Sequence, residues 1–158
     1  MNRSFRSLRF VVPNAYRALK RALLVERAGV RGMRVVVQRV SEASVEVDGK
    51  TVSSIDTGLL VLAAFRSGDS EPDLDWMARK CLELRIFEDE EGRMNRSVLD
   101  VGADVLVVSQ FTLYGECRKG RRPDFLASAP AEEARTLYRK FLEIMNGYYP
   151  KLAEGVFG

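Results

Sequence analysis

Hydrophobic positions change period along this chain, and each change predicts an element. "MRVVVQRV", from Met33, is dense in β-branched residues and predicts a strand. "ASVEVDGKTVSSI" alternates apolar and polar on both sides of Asp48-Gly49, a pair that tolerates positive φ, and predicts a hairpin. "GLLVLAAF" (58–65) is continuously apolar, the pattern of a strand covered on both faces. "SEPDLDWMARKCLELRIF" switches to helical period. Leu74, Met77, Cys81 and Leu84 fall on one face, with Ser70 placed to cap and Pro72 in the first turn. Cys81 thereby reads as core rather than nucleophile. "EDEEGRMNRSV" predicts an acidic turn and a polar loop, and "ADVLVVSQF" another strand. "SAPAEEARTLYRKFLEIMNG" predicts a second amphipathic helix. Pro130, Glu132 and Glu133 suit its start and Gly147 its stop, with Leu137, Phe141 and Ile144 or Met145 in its stripe. Strands, helix, strand and helix in that order give an α+β class with a curved sheet.

Composition supports one domain of ordinary size: 158 residues, 46% hydrophobic and 30% charged. Charge divides the chain. Residues 1–32 hold eight basic residues against Glu26 alone, a net of +7, while the remainder carries 17 basic and 21 acidic residues, a net of −4. The basic character thus belongs to the N-terminal segment and does not argue that the whole domain binds nucleic acid. Residues 1–32 are expected to be a basic extension outside the core. A start upstream of the true one, a targeting segment and an RNA-binding arm all fit its composition. Two cysteines without CxxC spacing point to a reducing compartment, taken as the cytoplasm. No apolar run approaches the roughly 20 residues of a membrane helix, so no membrane partner is expected.

The chain contains no histidine, which excludes Ser-His-Asp and Cys-His mechanisms and His-ligated zinc. Gly49-Lys50-Thr51 resembles the end of a phosphate loop, but position 44 is Ser where that loop needs Gly. Glu88, Asp89, Glu90 and Glu91 fit a solvated turn better than a cation site. No metal and no cofactor are expected. The chemistry left is that of backbone N–H groups, hydroxyls, side-chain amides or the substrate itself. "VLVVSQFTLYGECRKGRRPDF" (105–125) offers such groups, because its strand ends in Ser109, Gln110, Phe111 and Thr112. Donors at a strand end can hold an ester carbonyl and the charge that develops on attack. Phe111 can stack on a purine. Arg118, Lys119, Arg121 and Arg122 follow at a spacing suited to phosphates. The same pattern also fits a plain strand end followed by a solvated basic loop.

"SQFTLYGECRKGRRPDF" closely resembles the signature segment of the D-aminoacyl-tRNA deacylases. "MRVVVQRVSEASVEVDG", "GLLVLAAF" and "LRIFEDEEGRMNRSV" resemble further family segments, in order, from Met33 to Gly158. The resemblance implies an α/β/β layered fold with two main amphipathic helices, homodimerisation, and a metal-independent hydrolysis of the ester between a D-amino acid, or glycine, and the 3′ end of tRNA. It also implies assistance from the substrate's own 2′-hydroxyl. Carried onto this sequence, Ser109, Gln110 and Thr112 form the catalytic set, with Thr112 in a positioning role. Phe111 meets the terminal adenine, Arg39 lies near the pocket, and Met94 and Asn95 shape the site from behind. Family members continue into a final strand with Asn-x-Gly-Pro-x-Thr, and this chain contains no Gly-Pro dipeptide. The deacylase-like domain, residues 33–158, is thus expected to lack that strand, and the alternative to a hydrolase is a catalytically impaired relative or fragment that binds tRNA 3′ ends or nucleotides without turnover.

Overall fold

The computed structural model describes residues 8–11, 22–29, 32–118 and 120–157. The strands are β1 (Leu8–Val11), β2 (Ala22–Val25), β3 (Arg34–Val40), β4 (Ala43–Val47), β5 (Lys50–Ile55), β6 (Gly58–Ala64), β7 (Phe87–Glu88), β8 (Met94–Arg96), β9 (Asp104–Ser109) and β10 (Leu152–Glu154). The helices are α1 (Glu71–Glu83), α2 (Val98–Val101) and α3 (Ala131–Tyr148). A five-stranded sheet runs β10-β9-β6-β3-β2 and a three-stranded sheet runs β1-β4-β5. In the larger sheet β10 and β6 both lie parallel to β9, while β6 and β2 lie antiparallel to β3.

The larger sheet is the middle layer. Its Val35, Val37, Leu59, Val61, Val105 and Val107 share a cluster with Leu74 and Met77 of α1 and Phe141 and Met145 of α3. On the opposite face, Val40, Leu60, Leu106 and Val108 meet Ala43, Val45 and Ile55 of the smaller sheet. Successive strand residues point to opposite faces, so β6 and β9 must be apolar at consecutive positions. The architecture is therefore α/β/β, as the resemblance implied. Gly58 permits the closest approach inside it, because a Cβ there would lie 2.0 Å from the Asp104 carbonyl oxygen of β9.

Local chemistry sets the element ends. Asp48 and Gly49 adopt φ of 51° and 76° and turn β4 into β5, the paired positive φ of a tight hairpin. Asp73 accepts from the Ser70 N–H at 3.1 Å and the Ser70 hydroxyl at 2.5 Å, which closes the start of α1. Cys81 is fully buried and its thiol is pushed up to about 12 by burial, so it is a core residue. Helix α3 runs through Gly147 to Tyr148, and its buried stripe is Ala134, Tyr138, Phe141, Leu142 and Met145. Leu137 and Ile144 sit at the margin of that stripe.

The charge break at Met33 is not a packing boundary. Ala22–Val25 pairs with β3, Leu8–Val11 pairs with β4, and Val25 joins the main core. Basic composition reports how a segment meets water, whereas "ALLV" supplies an apolar strand that an open sheet edge can pair. Among the described residues no helix is long and apolar enough to cross a membrane.

Candidate active site

Strand β9 delivers Ser109 to the end of the middle layer, and the chain then closes into a 3-10 turn over Phe111–Tyr114. The turn is anchored at its start by Gln110, whose N–H donates to the Ala63 carbonyl of β6 at 2.8 Å. It is closed at its end by the Gly115 N–H, which donates to the Thr112 carbonyl at 3.0 Å. The Gln110 side-chain amide donates to the Thr112 hydroxyl in a short contact, so these two groups orient each other. Phe111 is 53% exposed and stands edge-on to Phe125, with ring centroids 5.4 Å apart.

Ser109 differs from its neighbours. Its hydroxyl is buried and has no hydrogen-bond partner among the described residues. It borders a slot of about 30 Å³ whose walls include Ala63, Phe65, Gln110, Phe111 and Phe157. That is room for roughly one or two water-sized groups. A larger cleft of about 440 Å³ lies between Val52, Arg135, Arg139 and Val156. Volume alone favours the cleft, but the orphan hydroxyl and the exposed ring belong to the slot, and chemistry needs groups more than space.

The basic residues form a hairpin beside this turn. Glu116 and Asp124 exchange backbone hydrogen bonds of 2.8 and 3.0 Å and so close its base. Arg118 folds back on Glu116 at 3.4 Å and remains 88% exposed. Arg121 and Arg122 are exposed, and Lys119 lies outside the described residues.

The structure does not bring Arg39 to the slot. Its guanidinium donates to the Ile86 carbonyl at 2.9 Å and to Glu88 at 2.8 Å, beneath the β7–β8 hairpin. Asn95 on that hairpin accepts from Arg85 through both its carbonyl and its side chain, and Met94 stands exposed. Arg39 pairs with Leu59 at one end of β6, whereas Ala63 pairs with Ser109 at the other. Sequence reading missed the 3-10 turn and the partners of Tyr114. A single 3-10 turn closed by local hydrogen bonds is too short to leave a periodic signal, and the Gly32 partner of Tyr114 lies 82 residues away in the chain.

Residues 36–158 match the family model described as D-Tyr-tRNA(Tyr) deacylase. The chain is 56% identical over 126 residues to a D-aminoacyl-tRNA deacylase of Thermomicrobium roseum, covering 80% of this chain and 82% of the relative. It is 55% identical over 125 residues to one of Desulfitobacterium hafniense, covering 79% and 84%. Among solved structures, the c-Myc DNA Unwinding Element Binding Protein superposes with a TM-score of 0.74 at 43% identity, over 78% of this chain and 85% of that one. A probable eukaryotic D-amino acid tRNA deacylase superposes with a TM-score of 0.67 at 22% identity, over 80% and 89%, and so shares the fold. These matches place the layered fold in a class, the aminoacyl-tRNA deacylases. Within that class, this chain belongs to the D-Tyr-tRNA(Tyr) deacylase family.

Proposed function

We propose that the chain hydrolyses the ester bond of D-aminoacyl-tRNA, and of mischarged glycyl-tRNA, at the strand end Ser109–Thr112. Water attacks the ester carbonyl carbon, the bond to the ribose 3′ oxygen breaks, and free amino acid and tRNA leave. Family membership supports the reaction. The orphan Ser109 hydroxyl carries the choice of site. A buried polar group left unpaired costs about 1–3 kcal/mol, a cost that a substrate oxygen or water in the slot removes. The opening N–H groups of a helical turn have no partner within it, so Phe111 and Thr112 add donors for the developing oxyanion.

The remaining roles belong to the same reading. Phe111 offers an open aromatic face to the terminal adenine. Arg118, Arg121 and Arg122 receive the phosphates behind it, together with Lys119. Thr112 positions, because a threonine hydroxyl without a base is a poor nucleophile and no histidine exists here to act as one. The assisting group is the substrate's 2′-hydroxyl. Arg39 and Asn95 hold the β7–β8 hairpin, on which Met94 stands exposed, and contribute to stability rather than to turnover. A cytoplasmic homodimer completes the reading; the absence of CxxC spacing supports the compartment, and exposed Leu126 and Met94 supply apolar surface for a second copy.

The test is release of free tyrosine from D-tyrosyl-tRNA and L-tyrosyl-tRNA by the parent chain, Ser109→Ala and Phe111→Ala. Release from the D substrate alone is expected, with at least about a tenfold loss in Ser109→Ala. Parent-level turnover in both variants overturns the site. tRNA binding without release from either substrate overturns the reaction.

A further inference from the structure

The turn that carries Phe111 and Thr112 is held from behind by Arg34 of β3 and by residues that precede Met33. Tyr114, its last residue, is buried, and its hydroxyl donates to the Gly32 carbonyl at 2.5 Å. Arg34 places its guanidinium over the Tyr114 ring at 4.9 Å and donates to the Leu113 carbonyl at 3.1 Å. The other edge of the same guanidinium lies 2.6 Å from Glu26. One planar fork thus touches a ring, a carbonyl and a carboxylate together, which an ammonium could not do. On the opposite side the turn has no slack, because a Cβ on Gly115 would lie 3.1 Å from the Thr112 carbonyl and 3.2 Å from the Phe125 ring. Gly32 and Glu26 precede Met33, where the family resemblance begins, and Arg34 is the second residue of its first segment.

We propose that Arg34 and Tyr114 are positioning residues for deacylation, and that Glu26 and Gly32, which precede Met33, belong to the scaffold of the site. This rests on the assignment of the site to Ser109–Thr112. The brace grips Leu113 and Tyr114, the two residues next to Thr112. Loosening it lets the Phe111 ring and the turn donors move relative to Ser109, which is fixed in β9. A displacement of about 1 Å in such a site costs roughly 100-fold in rate.

Tyr114→Phe removes one hydroxyl and keeps the buried ring, and Glu26→Gln removes one surface charge. Arg34→Gln removes the fork, and Arg34→Lys restores charge without it. All are made in the full chain and compared with Ser109→Ala and Phe111→Ala. Measured quantities are kcat and KM on D-tyrosyl-tRNA, thermal midpoint, and amide exchange at 111–114. Tyr114→Phe is expected to lower kcat about tenfold with KM nearly unchanged and faster exchange confined to the turn. Arg34→Lys should fail to rescue what Arg34→Gln loses, and Glu26→Gln should show the smallest loss. Parent kcat in Tyr114→Phe and Glu26→Gln, with Ser109→Ala impaired, overturns the brace and leaves the site standing. Loss of kcat only in proportion to a lowered midpoint also overturns it, in favour of plain stability. Parent kcat in Ser109→Ala and Phe111→Ala overturns the site assignment instead.

Discussion

The β7–β8 hairpin, between α1 and α2, and the 109–114 turn, after β9, both carry polar residues, yet they leave different groups open. In the hairpin, polar groups satisfy one another. Arg39 reaches Ile86 and Glu88, Arg85 grips Asn95, and Asp89 accepts from the N–H groups of Glu91 and Arg93 at 3.0 and 2.9 Å. Just beyond it, Asp100 accepts from the Ser97 N–H at 2.7 Å and from the Ser97 hydroxyl at 2.8 Å. In the turn, the Ser109 hydroxyl has no partner and the Phe111 ring faces solvent. Polar residue content does not separate the two loops. What separates them is whether hydrogen-bonding capacity is consumed within the protein or left without a partner there.

The contrast breaks first at Arg39. Its side chain is 11% exposed, and Arg39→Ala strips a buried carbonyl and a carboxylate of a charged donor at once. It should lower stability by about 3 kcal/mol in urea titration, with kcat/KM per folded molecule unchanged. A selective loss of turnover with parent stability would return Arg39 to the slot. Next is a chain started at Met33, which removes β2 and exposes the core around Val25. We expect a loss of about 2 kcal/mol, read as a thermal midpoint roughly 5 °C lower. An unchanged midpoint would make residues 1–32 a separate extension after all.

Phe111→Ala sharpens the comparison from the other side. It should weaken binding of a tRNA 3′ end by about 1.5 kcal/mol, as for one lost base stack, and change stability by less than about 0.5 kcal/mol. Collapse of stability with intact binding would make the ring core. A smaller effect is expected from Arg121→Ala with Arg122→Ala. Affinity should fall for every tRNA alike, and the slope of log K against log salt should flatten by roughly 1.5, two phosphate contacts' worth.

Acid gives the smallest effect. The carboxyls of Asp89 and Asp100 are held below the usual carboxylate range, chiefly by the backbone N–H groups of Arg93 and Ser97 respectively. A depressed carboxyl stabilises the fold fully above its unfolded value, near 3.8, and that contribution fades as pH falls through the lower folded value. Amide exchange over 87–101 should therefore quicken, relative to 109–114, only as pH drops below about 4. Equal acceleration in both regions would show that these carboxylates do not hold the hairpin.

Periodicity by itself determined the central strands, both long helices and the Asp48-Gly49 turn. Each is a local pattern of burial, and local burial is written in consecutive residues. It also marked Ser109–Thr112 as a strand end with unusual polar content. Only tertiary structure decided which groups there stay open and which residues brace them. Arg34 finds Leu113 across 79 residues, Tyr114 finds Gly32 across 82, and Arg39 turns to Glu88 across 49. Ala22–Val25 likewise becomes an edge strand only because β3 presents a free row of backbone donors and acceptors beside it. A charged residue's type states what it can bind, but its partner is set by which layer edges the folded chain brings within hydrogen-bond reach. That is a property of three-dimensional packing, and no spacing along the chain carries it.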